Sequence, residues 1–209
     1  HLSTSGVMHL GDIAYGNFKD GFSIEGISPG NTLMNCIAIQ NGLTSDEFDL
    51  WVDPASHAGF VSDYNIFWSA NDHQPIRIGV PRYPTIAAYT AASGNDAHSI
   101  QLDPMFVSPA TGDFRLQAGS PAIDNANSAV AGWPASDAIG EVRLDDPSSA
   151  NRGVGSLAFA DRGALEFVPS DGGADHAPVV TASAPMTSAE GARVMIQVTA
   201  FDPDGDAIT

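Results

Sequence analysis

Ile13-Ala14-Tyr15-Gly16-Asn17 and Ile37-Ala38-Ile39-Gln40-Asn41 are two copies of one pattern, 24 positions apart, and Tyr64-Asn65-Ile66-Phe67-Trp68 is a third, with Ile66 falling 29 positions after Ile37. Phe22-Ser23-Ile24 repeats as Phe48-Asp49-Leu50 at an offset of 26. Self-similarity at such a period signals stacked repeats. It suits the turns of a parallel β-helix, where each coil lays short strands on the coil before it. Ile37 with Ile39, Phe22 with Ile24, and Ile66 with Trp68 recur at period two, and this reading points them into the helix core. Asn17, Asn41 and Asn65 fall at bends as structural residues, since Asn tolerates left-handed dihedrals and its amide can bond backbone or the Asn stacked above. Gly30, Gly42 and Gly59 mark further corners.

Beyond residue 70 the pattern changes. Residues 73–84 are punctuated by proline, and Thr85 to Gly94 then reads as one short helix with Thr85 as N-cap and Gly94 just past its end. Residues 102–124, LDPMFVSPATGDFRLQAGSPAID, are dense with turns at Asp103-Pro104, Ser108-Pro109 and Ala110 to Asp113. Phe114 and Leu116 alternate there with Asp113 and Arg115 as a half-buried strand should. A cap of this kind is physically required, because the last coil otherwise presents an unpaired strand edge and an open apolar core. Residues 126–157 read as irregular surface, and Arg162, in Asp161-Arg162-Gly163-Ala164-Leu165-Glu166-Phe167, as a structural ion-pair partner.

The run DPMFVSPATGDFRLQAGSPAID, followed by DRGALEF, resembles the C-terminal closing region of secreted bacterial right-handed parallel β-helix proteins of the choice-of-anchor Q type. Residues 62–68 and 89–104 are similar to the same family, so the resemblance covers residues 10–168. It implies a fold and a secreted or cell-surface location rather than one reaction. The expected fold class is all-β: β-helix coils over residues 1–70 and a C-terminal cap with one short helix over 71–168. A linker over 169–178 then leads to the first strands of a truncated Ig-like or cadherin-like β-sandwich over 179–209. That module rests on Val179-Val180-Thr181 and residues 194–201, and a complete one needs ~90–100 residues.

Composition narrows the partners. Eight Lys and Arg stand against 25 Asp and Glu, a net charge of −17, with Lys19 the single lysine. Phosphate recognition relies on basic clusters, so nucleic acid is excluded as a partner. No apolar run reaches the ~18 residues of a membrane span. The lone Cys36 forms no intrachain disulfide and reads as core, and the chain is expected to be monomeric. It opens without a signal peptide, which makes residue 1 an expected internal point of a longer precursor.

Two constellations carry candidate chemistry. Asp202, Asp204 and Asp206 alternate on a Gly turn, and with Glu190 they offer hard oxygens to Ca²⁺. On the coils, Lys19, Asp20, Asp46 and Asp49 are catalytic candidates, while Trp51, Asp53 and His57 are candidates for carbohydrate binding. Asp20 and Asp46 lie about one period apart; paired carboxylates can hydrolyse a glycosidic bond, and a Trp ring can stack on a sugar. Asp20-Gly21-Phe22 resembles a polygalacturonase motif whose other blocks are missing. His57, His73 and His98 lack metal-ligand spacing and read as structural. The expected function is a scaffold or cap segment, not catalytic alone, of a secreted protein that binds or processes polysaccharide, of the lyase or glycoside hydrolase class. The alternative is a non-enzymatic surface adhesin with calcium-binding Ig-like repeats and a cell-surface glycan as partner.

Overall fold

Three short strands recur in the same order in three successive passes of the chain. The structure is a computed structural model that describes residues 4–43, 47–70, 74–169, 179–182 and 198–201. The first pass supplies β1 (Met8–Leu10), β2 (Ile13–Tyr15) and β3 (Phe22–Ile24); the second supplies β4 (Thr32–Met34), β5 (Ile37–Ile39) and β6 (Leu50–Val52). The third supplies β7 (Val61–Asp63), β8 (Ile66–Trp68) and β9 (Ile76–Ile78). Like strands pair in parallel, making sheets β1-β4-β7, β2-β5-β8 and β3-β6-β9; β10 (Arg82–Tyr83) adds an antiparallel edge to β9.

The middle sheet has the register read from the repeats, Ile13↔Ile37↔Ile66. The third sheet does not: Phe22 pairs with Leu50, two residues beyond the expected partner Phe48. Connection length explains the difference. Two residues join the first strand to the second in every pass, Gly11-Asp12, Asn35-Cys36 and Tyr64-Asn65, and this locks the two registers together. The next connection spans residues 16–21 in one pass and 40–49 in the following one, so its register is free to shift. The tight corner demands a left-handed residue, with φ of 69° at Gly11, 57° at Asn35 and 58° at Tyr64.

Polar side chains join the passes. Asn31 Oδ1 accepts from Val7 N–H at 2.7 Å, Asn41 Oδ1 from Asn17 N–H at 3.1 Å, and Asn65 Oδ1 from Cys36 N–H at 2.8 Å. Ser56 Oγ accepts from Ser28 N–H at 3.1 Å. In each case a later pass satisfies a backbone donor of the earlier one, as the cost of burying an unpaired polar group requires.

Two apolar clusters form. One draws on all three sheets through Leu33, Ala38, Phe67, Leu50 and Ile76, and is completed by Ile86 and Tyr89 of α1 (Ile86–Ser93). Thr85 Oγ1 caps α1 by accepting from Ala88 N–H at 3.1 Å, and Gly94 follows with φ of 77°. The Cys36 thiol lies in this cluster, and burial pushes it up to about 12. The second cluster lies on the opposite face of the middle sheet. Ile37, Ile39 and Ile66 pack there against Phe106 and Leu116, from the hairpin of β11 (Phe106–Ser108) and β12 (Asp113–Leu116), together with Ala122 and Ile123. The Ile37, Ile39, Ile66 and Trp68 set therefore faces the closing segment, not the core that the three sheets share; Ala38 and Phe67 face that core instead.

The last edges of the sheets are covered. Alongside β10, Ile100 bridges to Ile66, and Asp96 N–H donates to Ser62 O at 2.7 Å. Arg162 is fully enclosed, but among the described residues it forms no ion pair. Its guanidinium donates to Asn125 O at 2.6 Å, Asn65 O at 3.1 Å, His98 O at 2.9 Å and Asn125 Oδ1 at 2.9 Å. The buried ion pair of this region is Arg143 with Glu166, at 2.7 Å.

A second unit covers residues 168–209, separate from 1–167. Within it β13 (Val179–Ala182) and β14 (Val198–Phe201) pair antiparallel, Val179 with Phe201. Residues 170–178 of the expected linker over 169–178, and Glu190, Asp202, Asp204 and Asp206, lie outside the described residues. Among the described residues the fold is mostly strand with one short α-helix, and no helix is long and apolar enough to cross a membrane.

Candidate functional site

The expected acidic constellation is divided by the local folding of the passes. Asp20 stands in the turn before β3, where its Oδ1 accepts from Phe48 N–H at 2.7 Å. Burial pushes its carboxyl up to about 6; the bond from Phe48 opposes this and the neighbouring Glu47 carboxylate adds to it. Lys19 lies 4.0 Å from Glu47 and is largely exposed. Asp49 is fully buried, and its Oδ1 accepts from Asn41 N–H at 3.4 Å and Asn41 Nδ2 at 3.1 Å. Asp46 and His73 lie outside the described residues.

The three carbohydrate candidates also have local partners. Trp51 is half-buried with the Arg77 guanidinium 5.5 Å over its ring. Asp53 Oδ1 accepts from Ser56 N–H at 2.8 Å and shapes its own turn. His57 is exposed at the edge of a cleft of about 790 Å³, shared with Tyr83, Tyr89 and Asn95. His98 Nδ1 pairs with Asp63 Oδ2 at 2.8 Å, and its ring stacks on Tyr64 at 4.7 Å. Among the described residues no group of three or more His, Cys, Asp or Glu side chains is placed to hold a metal ion.

A different arrangement lies where the closing hairpin meets the middle sheet. Tyr15, Ile39 and Trp68 are register partners at the ends of β2, β5 and β8, so they form a stripe across three strands. Adjacent strands lie ~4.8 Å apart, which puts the Tyr15 and Trp68 backbones ~10 Å from each other. The stripe lines an open cleft of about 650 Å³ together with Phe106 of β11. This volume is within the ~300–1,000 Å³ of ligand clefts. The walls stay in place because Tyr15 packs edge-on to Phe114 at 5.6 Å and Phe114 to Phe106 at 5.4 Å.

Polar groups sit along the rim. Gln117 Nε2 donates to Phe106 O at 2.8 Å, leaving Oε1 as an acceptor. Gln40 Oε1 accepts from Ser69 Oγ at 3.4 Å, leaving Nε2 as a donor. Asp103 uses Oδ1 to accept from Met105 N–H at 2.8 Å. An apolar, partly aromatic wall edged by a few fixed polar groups is the form of a small-ligand site.

Sequence reasoning did not assemble this site. The aligned repeats already place Tyr15, Ile39 and Trp68 at one position, and two aromatics there were a readable signal. Gln117, Asp103 and Phe106 come from a segment whose landing place no periodicity indicates. Comparison with known proteins found no matching family model, no matching curated protein and no matching solved structure.

Proposed function

We propose that this chain belongs to a secreted right-handed parallel β-helix protein of the choice-of-anchor Q type, and that it binds polysaccharide in the cleft beside the middle sheet. Three in-register parallel sheets fed by successive passes support the helix reading. Its right hand follows from the strong preference of parallel crossovers for that hand. The binding reading rests on one observation, the Tyr15–Ile39–Trp68 stripe lining an open cleft together with Phe106. Its length is comparable with a pair of linked pyranose rings, and flat C–H faces pack on aromatic rings while hydroxyls reach the amide rim. In this reading the chain supplies recognition and scaffold, and any bond-breaking residues of the protein lie elsewhere.

Titration of the chain with soluble oligosaccharides, followed by calorimetry and by tryptophan fluorescence, tests the reading. Binding should weaken about tenfold or more in Trp68→Ala and measurably in Gln40→Ala, a rim change that leaves the apolar wall intact. Absence of binding to every glycan, or binding that both variants retain, moves the function to the adhesin class.

A further inference from the structure

We infer that the cleft takes uncharged pyranose chains and rejects polyuronides; this rests on the carbohydrate reading of the cleft. The argument begins with what the rim can give and accept. Gln117 Oε1 and the Asp103 carboxylate are acceptors, while Gln40 Nε2 and the second N–H of Gln117 Nε2 are neutral donors. Among the described residues no Lys, Arg or His side chain lines the cleft. A hydroxyl both donates and accepts, so a neutral sugar satisfies donors and acceptors alike by rotating its O–H bonds. An ionised carboxylate only accepts. A uronate there meets only neutral amide donors and faces the Asp103 carboxylate, with no cation between them among the described residues.

Burial sharpens the difference. A charge taken from water into a partly apolar cleft is costly unless it is paired, and the described rim residues provide no cation to pair it. Long-range electrostatics act in the same direction, because a chain of net charge −17 repels a polyanion before contact. The stripe itself does not discriminate, since Tyr15 and Trp68 stack on either kind of ring. Selectivity is therefore a property of the rim and the field, and it depends on salt.

The experiment uses the 209-residue chain and two sets of oligosaccharides of equal length, neutral gluco-, manno- and xylo-oligomers against oligogalacturonates. At least one neutral set is expected to bind about tenfold or more tightly than the uronates at low salt. Raising salt to about 0.15 M should strengthen uronate binding and leave neutral binding unchanged. Asp103→Asn retains an acceptor for Met105 N–H and should narrow the gap by raising uronate affinity. Uronates binding as tightly as neutral sugars, or tighter, overturns this inference while the carbohydrate reading stands. Silence from both sets overturns the carbohydrate reading and the inference with it.

Discussion

At the scale of single residues, Arg162 shows how the closing segment is fastened. Burial pulls its guanidinium down to about 10 from the ordinary 12.5, so it still carries its charge at neutral pH. Among the described residues no carboxylate neutralises it at contact distance; four oxygens from three separate stretches of chain receive its N–H groups, and its Cζ lies 5.2 Å over the Tyr64 ring. The planar fork reaches all of them at once, which a lysine ammonium on a flexible stem does not. Arg162→Ala leaves buried carbonyl groups unpaired and should cost about 3–5 kcal/mol in urea unfolding, with Arg162→Lys recovering only a minor part. A loss below about 1 kcal/mol in the alanine variant would show that those carbonyls find other partners.

At the scale of elements, the hairpin of β11 and β12 is defined by its two faces. Phe106 and Leu116 lie under the second apolar cluster, while Val107 on the same hairpin is 45% exposed. Leu116→Ala should therefore destabilise by about 2–5 kcal/mol and Val107→Ala by less than about 0.5 kcal/mol, both read from denaturant midpoints. Equal effects from the two variants would mean that the hairpin does not cover the middle sheet. Much of this level is legible in the sequence. The Ile13, Ile37 and Ile66 ladder, the Asn41 and Asn65 bonds between passes, and the helix capped by Thr85 all follow from local chemistry and short connections. What alternation cannot say is which face will be covered and by what. Ile37 and Ile39 share a face as read, yet that face meets a segment more than sixty residues away. Phe48 imitates a ladder partner of Phe22 because both are aromatic, but it belongs to the longer loop, where Arg77 and Arg82 lie over its ring at 5.8 and 5.3 Å. Half of the cleft was unreadable for the same reason, since it comes with the hairpin and the chain beside it.

At the scale of the whole molecule, the excess of acid shapes how stability responds to pH. Asp96 is buried beside Asn65 and Ser99, and its carboxyl is pushed up to about 6 chiefly by burial, against the hydrogen bonds that lower it. Asp124 is pushed up to about 6 by burial with Asp145 and Asp146 nearby, and burial also raises Asp161 and Glu166. The sign is the reverse of a salt-bridged carboxylate. An unfolded Asp holds its proton only below its ordinary 3.8, and folded Asp96 holds it up to about 6, so between these values the native state binds more protons. Stability therefore falls as pH rises through that window, and the loss is complete above it. For Asp96 alone the move from 3.8 to about 6 corresponds to a cost on the order of 3 kcal/mol at neutral pH. Relief of self-repulsion in a chain of net charge −17 works in the same direction. The unfolding midpoint should accordingly rise on acidification from about pH 7 to about pH 5. Asp96→Asn keeps the acceptor for Ser99 without the charge, so it should stabilise the protein at pH 7 and flatten the pH dependence, which separates the buried carboxyl from the general charge effect. A variant whose slope matches that of the parent would assign the whole pH response to self-repulsion.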